Sequence, residues 1–355
     1  MSGLSVPLLL LIFIIAAAVV WIAGIQLSNQ TDILAGRLHL GAALGGLILL
    51  AIATNLPEIA ITTSAALSNN IGVAVGNILG GIAIQTVVLV VLDAFGVRGR
   101  RPLTYQAASL VLVLEGVLVV AVLGVVVAGS QLPSSLKVWR LAPASLLIAV
   151  LWVAGLLLLK HAGTSLPWHE SGEAPDNQDE PRGHSQRKTE QAATKKGVST
   201  ARSAIIFGIA ALVTLVAGVV LERSGDAIAS HIGLSGVLFG ATVLAAATSL
   251  PEVSTGLTSV RNGDYQLAVS DIFGGNAFLP VLFLLATLLS GQAVLPRAQD
   301  TDIYLTAVGA LLTLVYLVGL IFRPQRRIAR MGVDSLVVLV LYLLSVGGLF
   351  IIALT

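Results

Sequence analysis

Two short stretches decide the fold of this chain: Ala53-Thr54-Asn55-Leu56-Pro57-Glu58 and Ala247-Thr248-Ser249-Leu250-Pro251-Glu252. They are 194 positions apart, and at this offset 14 of the 38 residues in 46–83 are identical to those in 240–277 without a gap. Apolar sequence readily produces chance matches of Ala, Leu and Val, but hardly a matched Thr-x-Leu-Pro-Glu. The chain therefore contains an internal repeat.

The composition places this repeat in a membrane protein. The chain has 355 residues, of which 56% are hydrophobic and only 11% charged, whereas soluble domains are about 25% charged. So few charges cannot cover a water-soluble globule, which argues against a soluble enzyme or a nucleic-acid-binding protein. The lack of cysteine excludes disulfides and thiolate metal sites. The sequence has no P-loop, so we expect neither ATP as a partner nor a bound cofactor.

Ten stretches are long and apolar enough to cross a bilayer, for which about 20 residues suffice. Their predicted bounds are 7–27, 38–67, 72–96, 104–129, 141–160, 203–224, 233–260, 266–290, 302–322 and 333–354. The repeat offset superimposes the five spans of 1–160 on the five of 203–355, with a polar linker at 161–202. Because five is odd, the second half must lie inverted relative to the first. The predicted fold is all-α, with ten transmembrane helices in two inverted five-helix repeats.

The positions of Lys and Arg predict the orientation of these spans. Sixteen of the 20 basic residues lie in the loops that follow odd-numbered spans, and cytoplasmic loops are enriched in basic residues. We therefore expect the linker 161–202 in the cytoplasm and both termini outside, in a multi-pass protein of the cell membrane. Its expected partners are inorganic cations and the lipid bilayer, and the oligomeric state is left open.

The repeated motif combines a helix break with a carboxylate. Each proline removes a backbone N–H and so frees the carbonyl four residues earlier. Free carbonyls are tolerated at membrane depth where they line a polar cavity or hold a cation. Glu58 and Glu252 follow the prolines directly, and they would repel each other unless a proton or a cation lay between them. Since carboxylates and carbonyl oxygens are the ligands that Ca²⁺ prefers, the motif predicts a cation site.

The helix that follows each motif supplies small and polar residues. Gly72, Gly76 and Gly80 recur at every fourth position, which favours close helix packing. The polar residues among these positions in the two halves are Asn77, Gln85, Ser270, Asp271 and Asn276. Asp271 is either a site residue or a helix-start carboxylate near the membrane surface.

At these residues the chain resembles the calcium/cation antiporter superfamily, in particular the membrane region of sodium/calcium exchangers, whose inverted repeats carry G-T-S-x-P-E followed by G-N-x-x-G-S-N. The second motif reads Gly76-Asn77-Ile78-Leu79-Gly80-Gly81-Ile82 and Ser270-Asp271-Ile272-Phe273-Gly274-Gly275-Asn276 here. The resemblance implies central carboxylate ligands at Glu58 and Glu252, backbone carbonyl ligands at Thr54 and Thr248, and neighbouring polar ligands at Asn55 and Ser249. Further candidate ligands are Asn77, Asp271, Gln85 and Asn276.

The departures from the family pattern bear on the counter-ion. Gly81 and Gly275 replace the serine of G-S-N, and the later polar position holds Gln85 in one half but Leu279 in the other. The resemblance implies that these positions correspond to ligands of the sodium sites in that family. We predict an antiporter that exchanges Ca²⁺ or a similar cation for Na⁺ by alternating access. A proton-coupled Ca²⁺ exchanger or a sodium/proton exchanger of the same fold is the alternative, and a cation channel is the alternative from another class.

Four further acidic residues lie inside or near the predicted spans. Glu115, in the middle of the fourth span, is either a protonated residue facing a neighbouring helix or a proton relay. Asp93, Asp302 and Asp334 lie near predicted helix ends, where we expect them to be solvated. The five histidines are scattered and predict no metal site.

Overall fold

The computed structural model describes residues 4–37, 52–107, 109–162, 199–233, 236–261, 263 and 265–354, which are mostly helical. The first part of the second predicted span, 38–51, and most of the linker, 163–198, lie outside the described residues. The predictions for those two segments therefore stay predictions.

Helices of very different lengths succeed one another along both halves of the chain. The first half contains α1 (Val6–Arg37), α2 (Leu56–Leu67), α3 (Ile71–Val91), α4 (Leu103–Ala107), α5 (Leu110–Ser130) and α6 (Pro143–Ala162). The second half contains α7 (Thr200–Ile232), α8 (Gly236–Phe239), α9 (Ala245–Thr248), α10 (Leu250–Arg261), α11 (Tyr265–Phe278), α12 (Leu282–Ser290), α13 (Asp300–Phe322) and α14 (Val333–Leu354). Wider π-helical turns occupy Leu92–Gly96 and Gly240–Leu244, and tighter 3-10 turns occupy Leu279–Val281 and Leu295–Arg297. An antiparallel hairpin, β1 (Arg327–Ile328) and β2 (Met331–Gly332), precedes α14.

In the described part of the chain, eight helical stretches are long and apolar enough to cross a membrane. They correspond to eight of the ten predicted spans, although α1 and α7 run well past the predicted ends at 27 and 224. The other two predicted spans, 38–67 and 233–260, are interrupted at Asn55 and Ser249.

The outward-facing surface of the helices is apolar, and the interior contains acidic residues. Ile14, Ile22 and Leu343 are 62%, 64% and 62% exposed. The buried acids are Glu58, Asp93, Glu115, Glu222, Glu252, Asp271, Asp302 and Asp334. No Lys, Arg or His of the described segments is buried with them. Because lipid offers no hydrogen bonds, polar side chains face inward and apolar ones outward, as in membrane proteins.

The prediction that Asp93, Asp302 and Asp334 are solvated is wrong, since all three are buried where helix ends meet. Asp93 accepts backbone N–H bonds from Leu103 at 2.9 Å and from Gly332 at 2.6 Å. These bonds join the loop before α4 to the β-hairpin before α14. The carboxylates thus satisfy backbone N–H groups at the ends of helices, which would otherwise lack partners.

Loops that the charge pattern places on the same side of the membrane contact each other. Lys137, between α5 and α6, donates to the Gly291 carbonyl at 2.9 Å. Arg327, in β1, donates to the Gly99 carbonyl at 2.7 Å. Each of these contacts joins two loops that the charge pattern assigns to the same side of the membrane.

Two glycines allow long helices to pack on the motif prolines. A Cβ atom at Gly24 in α1 would lie 2.8 Å from Pro251 Cβ, and one at Gly218 in α7 would lie 3.2 Å from the Pro57 carbonyl oxygen. Gly24 and Gly218 are separated by the repeat offset, as are the two prolines. Each long helix therefore packs on the motif of the other half.

Candidate cation site

Each motif forms a helix that is broken at one residue. Asn55 has φ −90° and ψ 13°, and Ser249 has φ −80° and ψ 0°. New helices then begin with Leu-Pro, a position where the missing proline N–H costs no helical hydrogen bond. Glu58 and Glu252 consequently lie in the first turns of α2 and α10, where the helix dipole favours negative charge.

The structure buries every residue that the sequence predicts for the site. Their exposed fractions are at most 7%, and they are Thr54, Asn55, Glu58, Asn77, Gln85, Thr248, Ser249, Glu252, Asp271 and Asn276. Asp271 is therefore buried within the protein.

The two motif carboxyls meet in the interior. Glu252 lies close enough to Glu58 and to Asp271 for their charges to interact, and the Thr248 side chain lies beside the Glu58 carboxyl. Across the described residues, none of the four carboxyl oxygens of Glu58 and Glu252 has a hydrogen bond of normal geometry. Burial of an unpartnered carboxylate is costly, so this pair favours binding a cation or protons.

Amide groups fill the space beside Gly275. A Cβ atom there would lie 3.3 Å from both Gln85 Oε1 and Asn55 Nδ2. At the counterpart position, a Cβ atom on Gly81 would lie 3.4 Å from a Leu279 methyl group. The two halves thus make contacts at equivalent positions, polar at Gly275 and apolar at Gly81.

Two asparagines differ in their surroundings. Asn77 is fully buried, and within the described segments neither of its amide atoms has a hydrogen-bond partner. Asn276 donates to Thr86 Oγ1 at 3.0 Å, and Thr86 donates to the Ile82 carbonyl at 2.7 Å. Asn276 therefore links α11 to α3 through its amide nitrogen, and the side-chain oxygens of both asparagines are available to a cation.

The motif hydroxyls of the second half stabilise the break in their own helix. Ser249 Oγ donates to the Ala245 carbonyl at 2.8 Å, and Thr248 Oγ1 donates to the same carbonyl at 3.2 Å. Because each hydroxyl hydrogen is used in this way, the oxygen lone pairs remain available to a cation.

Asp271 connects the carboxyl pair to a further buried acid. Thr255 Oγ1 donates to Asp271 Oδ2 at 3.2 Å. The preceding residue, Ser270, donates from Oγ to Glu115 Oε1 at 2.9 Å. Glu115 therefore faces the neighbouring helix α11, one residue from a predicted site position.

The acidic side chains alone are too few to hold a metal ion. In the described part of the chain, no three His, Cys, Asp or Glu residues form a group that could do so. Ca²⁺ takes six to eight oxygen ligands, which include carbonyls and waters as well as carboxylates. A cation at this site would therefore need amide, hydroxyl and backbone oxygens besides the two carboxyls.

Sequence reasoning missed an acidic contact between α2 and α7. Glu222 is 3% exposed and accepts a hydrogen bond from Ser64 Oγ at 2.9 Å. One turn further along α7, Asp226 accepts from Asn70 Nδ2 at 2.8 Å. Two acids spaced one helical turn apart were a signal for this contact in the sequence. They lie next to residue 224, however, where the predicted span ends.

Comparison with known proteins identifies the family. The model of the sodium/calcium exchanger protein family matches residues 8–160 and 202–351. The chain belongs to this family. It is 29% identical over 260 residues to the inner membrane protein YrbG of Escherichia coli (strain K12), which covers 72% of each chain. It is 26% identical over 301 residues to the putative antiporter CaxA of Alkalimonas amylolytica, which covers 82% of this chain and 85% of that protein.

Two solved structures share the fold of this exchanger. The sodium-calcium exchanger NCX_Mj matches with a TM-score of 0.59 and 17% identity, covering 97% of this chain and 99% of that one. The H⁺/Ca²⁺ exchanger CAX matches with a TM-score of 0.60 and 14% identity, covering 98% and 89%. The predicted family is confirmed: the chain is a membrane antiporter of the exchanger family, and it is not an enzyme.

Proposed function

We propose that this exchanger binds Ca²⁺ between Glu58 and Glu252 and exchanges it for monovalent cations by alternating access. One observation carries the proposal: two neighbouring carboxyls are buried, and among the described residues none of their four oxygens has a hydrogen bond of normal geometry. A divalent cation compensates both charges at once, and carboxylate oxygens are its preferred ligands.

The remaining predicted residues would complete the shell around the ion. The proposal assigns backbone carbonyl ligands to Thr54 and Thr248. It assigns side-chain oxygen ligands to the nearby polar residues, which are Asn55, Ser249, Asn77, Gln85, Asp271 and Asn276. The unpartnered amide of Asn77 and the amides packed against Gly275 support this assignment.

Coupling follows from the same charges. Two carboxylates in a medium of low dielectric repel strongly, so a carrier with neither Ca²⁺ nor counter-ions would reorient at high energetic cost. Either Ca²⁺ or monovalent ions must neutralise the pair before the site changes sides. Exchange, rather than leakage, is the consequence.

The architecture proposed for this mechanism is the inverted repeat. Residues 1–160 and 203–355 would form the two five-helix halves, with a cytoplasmic linker at 161–202, outside termini and insertion in the cell membrane. The mirrored packing of Gly24 on Pro251 and of Gly218 on Pro57 supports it. Inverted halves with broken helices place the ion site near the membrane midplane.

Calcium uptake in proteoliposomes tests the proposal. We expect an imposed Na⁺ or H⁺ gradient to drive Ca²⁺ uptake, and we expect the double variant Glu58→Gln, Glu252→Gln to abolish it. The matched control is Asp302→Asn, because Asp302 is a buried acid that accepts the Gln299 N–H at 2.8 Å, away from the site. Uptake that ignores both gradients, or that survives the double substitution, would refute the proposal. Single-channel currents far above carrier turnover would favour a channel instead.

A further inference from the structure

Glu115 is a buried carboxyl to which the proposed Ca²⁺ shell gives no role. It lies in α5 and is 3% exposed. Its Oε1 atom accepts one hydrogen bond, from Ser270 Oγ at 2.9 Å. Its Oε2 atom is buried and has no hydrogen-bond partner within the described segments.

The surroundings of Glu115 suit a proton better than a metal ion. The next residue, Gly116, packs against Leu317 and Phe273, so the wall here is apolar. Ser270 Oγ is the one oxygen of the described chain that is hydrogen-bonded to the carboxyl, whereas Ca²⁺ needs six to eight oxygens. A carboxyl in such a place is expensive to ionise, and a proton neutralises it without further ligands.

No basic group compensates Glu115 from the packed helices. In α11, the nearest charged position is Asp271, which is acidic. In α13, the hydroxyl of Tyr316 lies 3.2 Å from the Ser335 hydroxyl and so points to α14. The basic residues of the neighbouring elements are all exposed at element ends, and they are Lys160 and His161 in α6 and Arg297 in the 3-10 turn before α13.

Glu115 contacts the helix that also carries a predicted site residue, α11. Ser270 bonds to Glu115, and the next residue, Asp271, interacts with Glu252. A divalent ion beside Glu252 adds positive charge near this segment, and nearby positive charge favours the ionised form of a carboxyl.

We propose that Glu115 is a proton-binding site of the exchange cycle, so that protons are counter-ions of Ca²⁺. Glu115 takes up a proton from the solution when the cation leaves, and it releases that proton to the solution when the next cation binds. This rests on the function proposed above.

Proton release on Ca²⁺ binding is the direct test. Purified protein in weakly buffered detergent solution is titrated with Ca²⁺ while a dye reports pH and calorimetry reports binding. Because metal binding releases protons from coupled groups, we expect Glu115→Gln to release about one proton fewer per Ca²⁺ than wild type while still binding Ca²⁺. The matched control is Glu222→Gln, since Glu222 is also buried and also accepts a serine hydroxyl at 2.9 Å. It should release as many protons as wild type.

A second measurement does not depend on the folding of Glu115→Gln. In the Ca²⁺-induced infrared difference spectrum of wild type, a protonated-carboxyl band should disappear. That band should move to a different frequency in Ser270→Ala, which keeps the carboxyl but removes its hydrogen-bond donor.

The outcomes separate the two proposals. An unchanged proton count in Glu115→Gln, or a band that Ser270→Ala leaves in place, overturns the role of Glu115 while Ca²⁺ binding stands. The role of Glu115 is also overturned if the wild-type protein binds Ca²⁺ without proton release and transports it only against Na⁺. Wild-type protein that neither binds nor transports Ca²⁺ overturns both.

Discussion

At Gly275 the absence of a side chain shapes the candidate site. A Cβ atom there would lie 3.3 Å from Gln85 Oε1 and Asn55 Nδ2, whereas one at Gly81 would make an ordinary 3.4 Å contact with Leu279. A serine at position 275 would displace the predicted ligands Gln85 and Asn55, whereas one at position 81 would displace only the apolar Leu279. Since overpacking costs about 1–3 kcal/mol, we predict that Gly275→Ser weakens Ca²⁺ binding about tenfold and that Gly81→Ser changes it little. Calorimetric titration of both variants measures the difference, and equal losses would show that the amides beside Gly275 do not act in binding.

The helix breaks and the buried acids of the candidate site were predictable because the repeat displays the motif twice. Proline before glutamate in an apolar stretch predicts both a helix break and a buried charge, and the structure contains both at Glu58 and Glu252. The burial of Asp93 was predicted wrongly because one of its two backbone partners, Gly332, is 239 positions away. Glu222 was missed because its partner Ser64 is 158 positions away. Local sequence does not show which acid finds a distant donor.

Among the helices, the close approach of α7 to α2 at Ala60 requires a glycine at position 218. A Cβ atom at Gly218 would lie 2.8 Å from Ala60 Cβ, whereas one at Gly208, on the same helix, has nothing within 4 Å. We predict that Gly218→Ala lowers the free energy of unfolding by about 1–3 kcal/mol, because it forces the two helices apart. Gly208→Ala should be neutral or stabilising by about 0.5–1 kcal/mol, as expected for alanine in a helix. Thermal unfolding in detergent tests this, and equal melting temperatures would mean that α2 and α7 separate at no cost.

Element types were predicted better than element boundaries. Hydropathy marked eight helices that the structure contains, because twenty apolar residues must be helical in a bilayer. It did not show that α1 and α7 extend well past the apolar core. The 3-10 turn at Leu279–Val281 was also missed, although Pro280 was an available signal for it. These features depend on packing between helices rather than on hydropathy.

In the whole molecule, the two halves are similar in packing but differ in charge. The contacts of Gly24 and Gly218 are mirrored. Asp271, however, is the counterpart of Asn77, and Glu115 is the counterpart of Gly309. Perfect inverted symmetry would give the ion equal surroundings on its way to either side. Asp271 lies in the second half and Glu115 in the first, so the acids around the proposed site do not follow the repeat. We therefore expect the two directions of transport to differ in energetics.

The orientation of the molecule can be tested directly because the chain has no native cysteine. Trp139, between α5 and α6, is 80% exposed, and Gly99, before α4, lies in an exposed loop. Because 16 of the 20 basic residues lie in loops on the Gly99 side, and basic loops remain in the cytoplasm, we predict opposite labelling. A membrane-impermeant maleimide should modify Trp139→Cys in intact cells and Gly99→Cys only in inverted vesicles. The reverse pattern would invert the proposed topology, and labelling of both from one side would mean that α5 does not span the membrane.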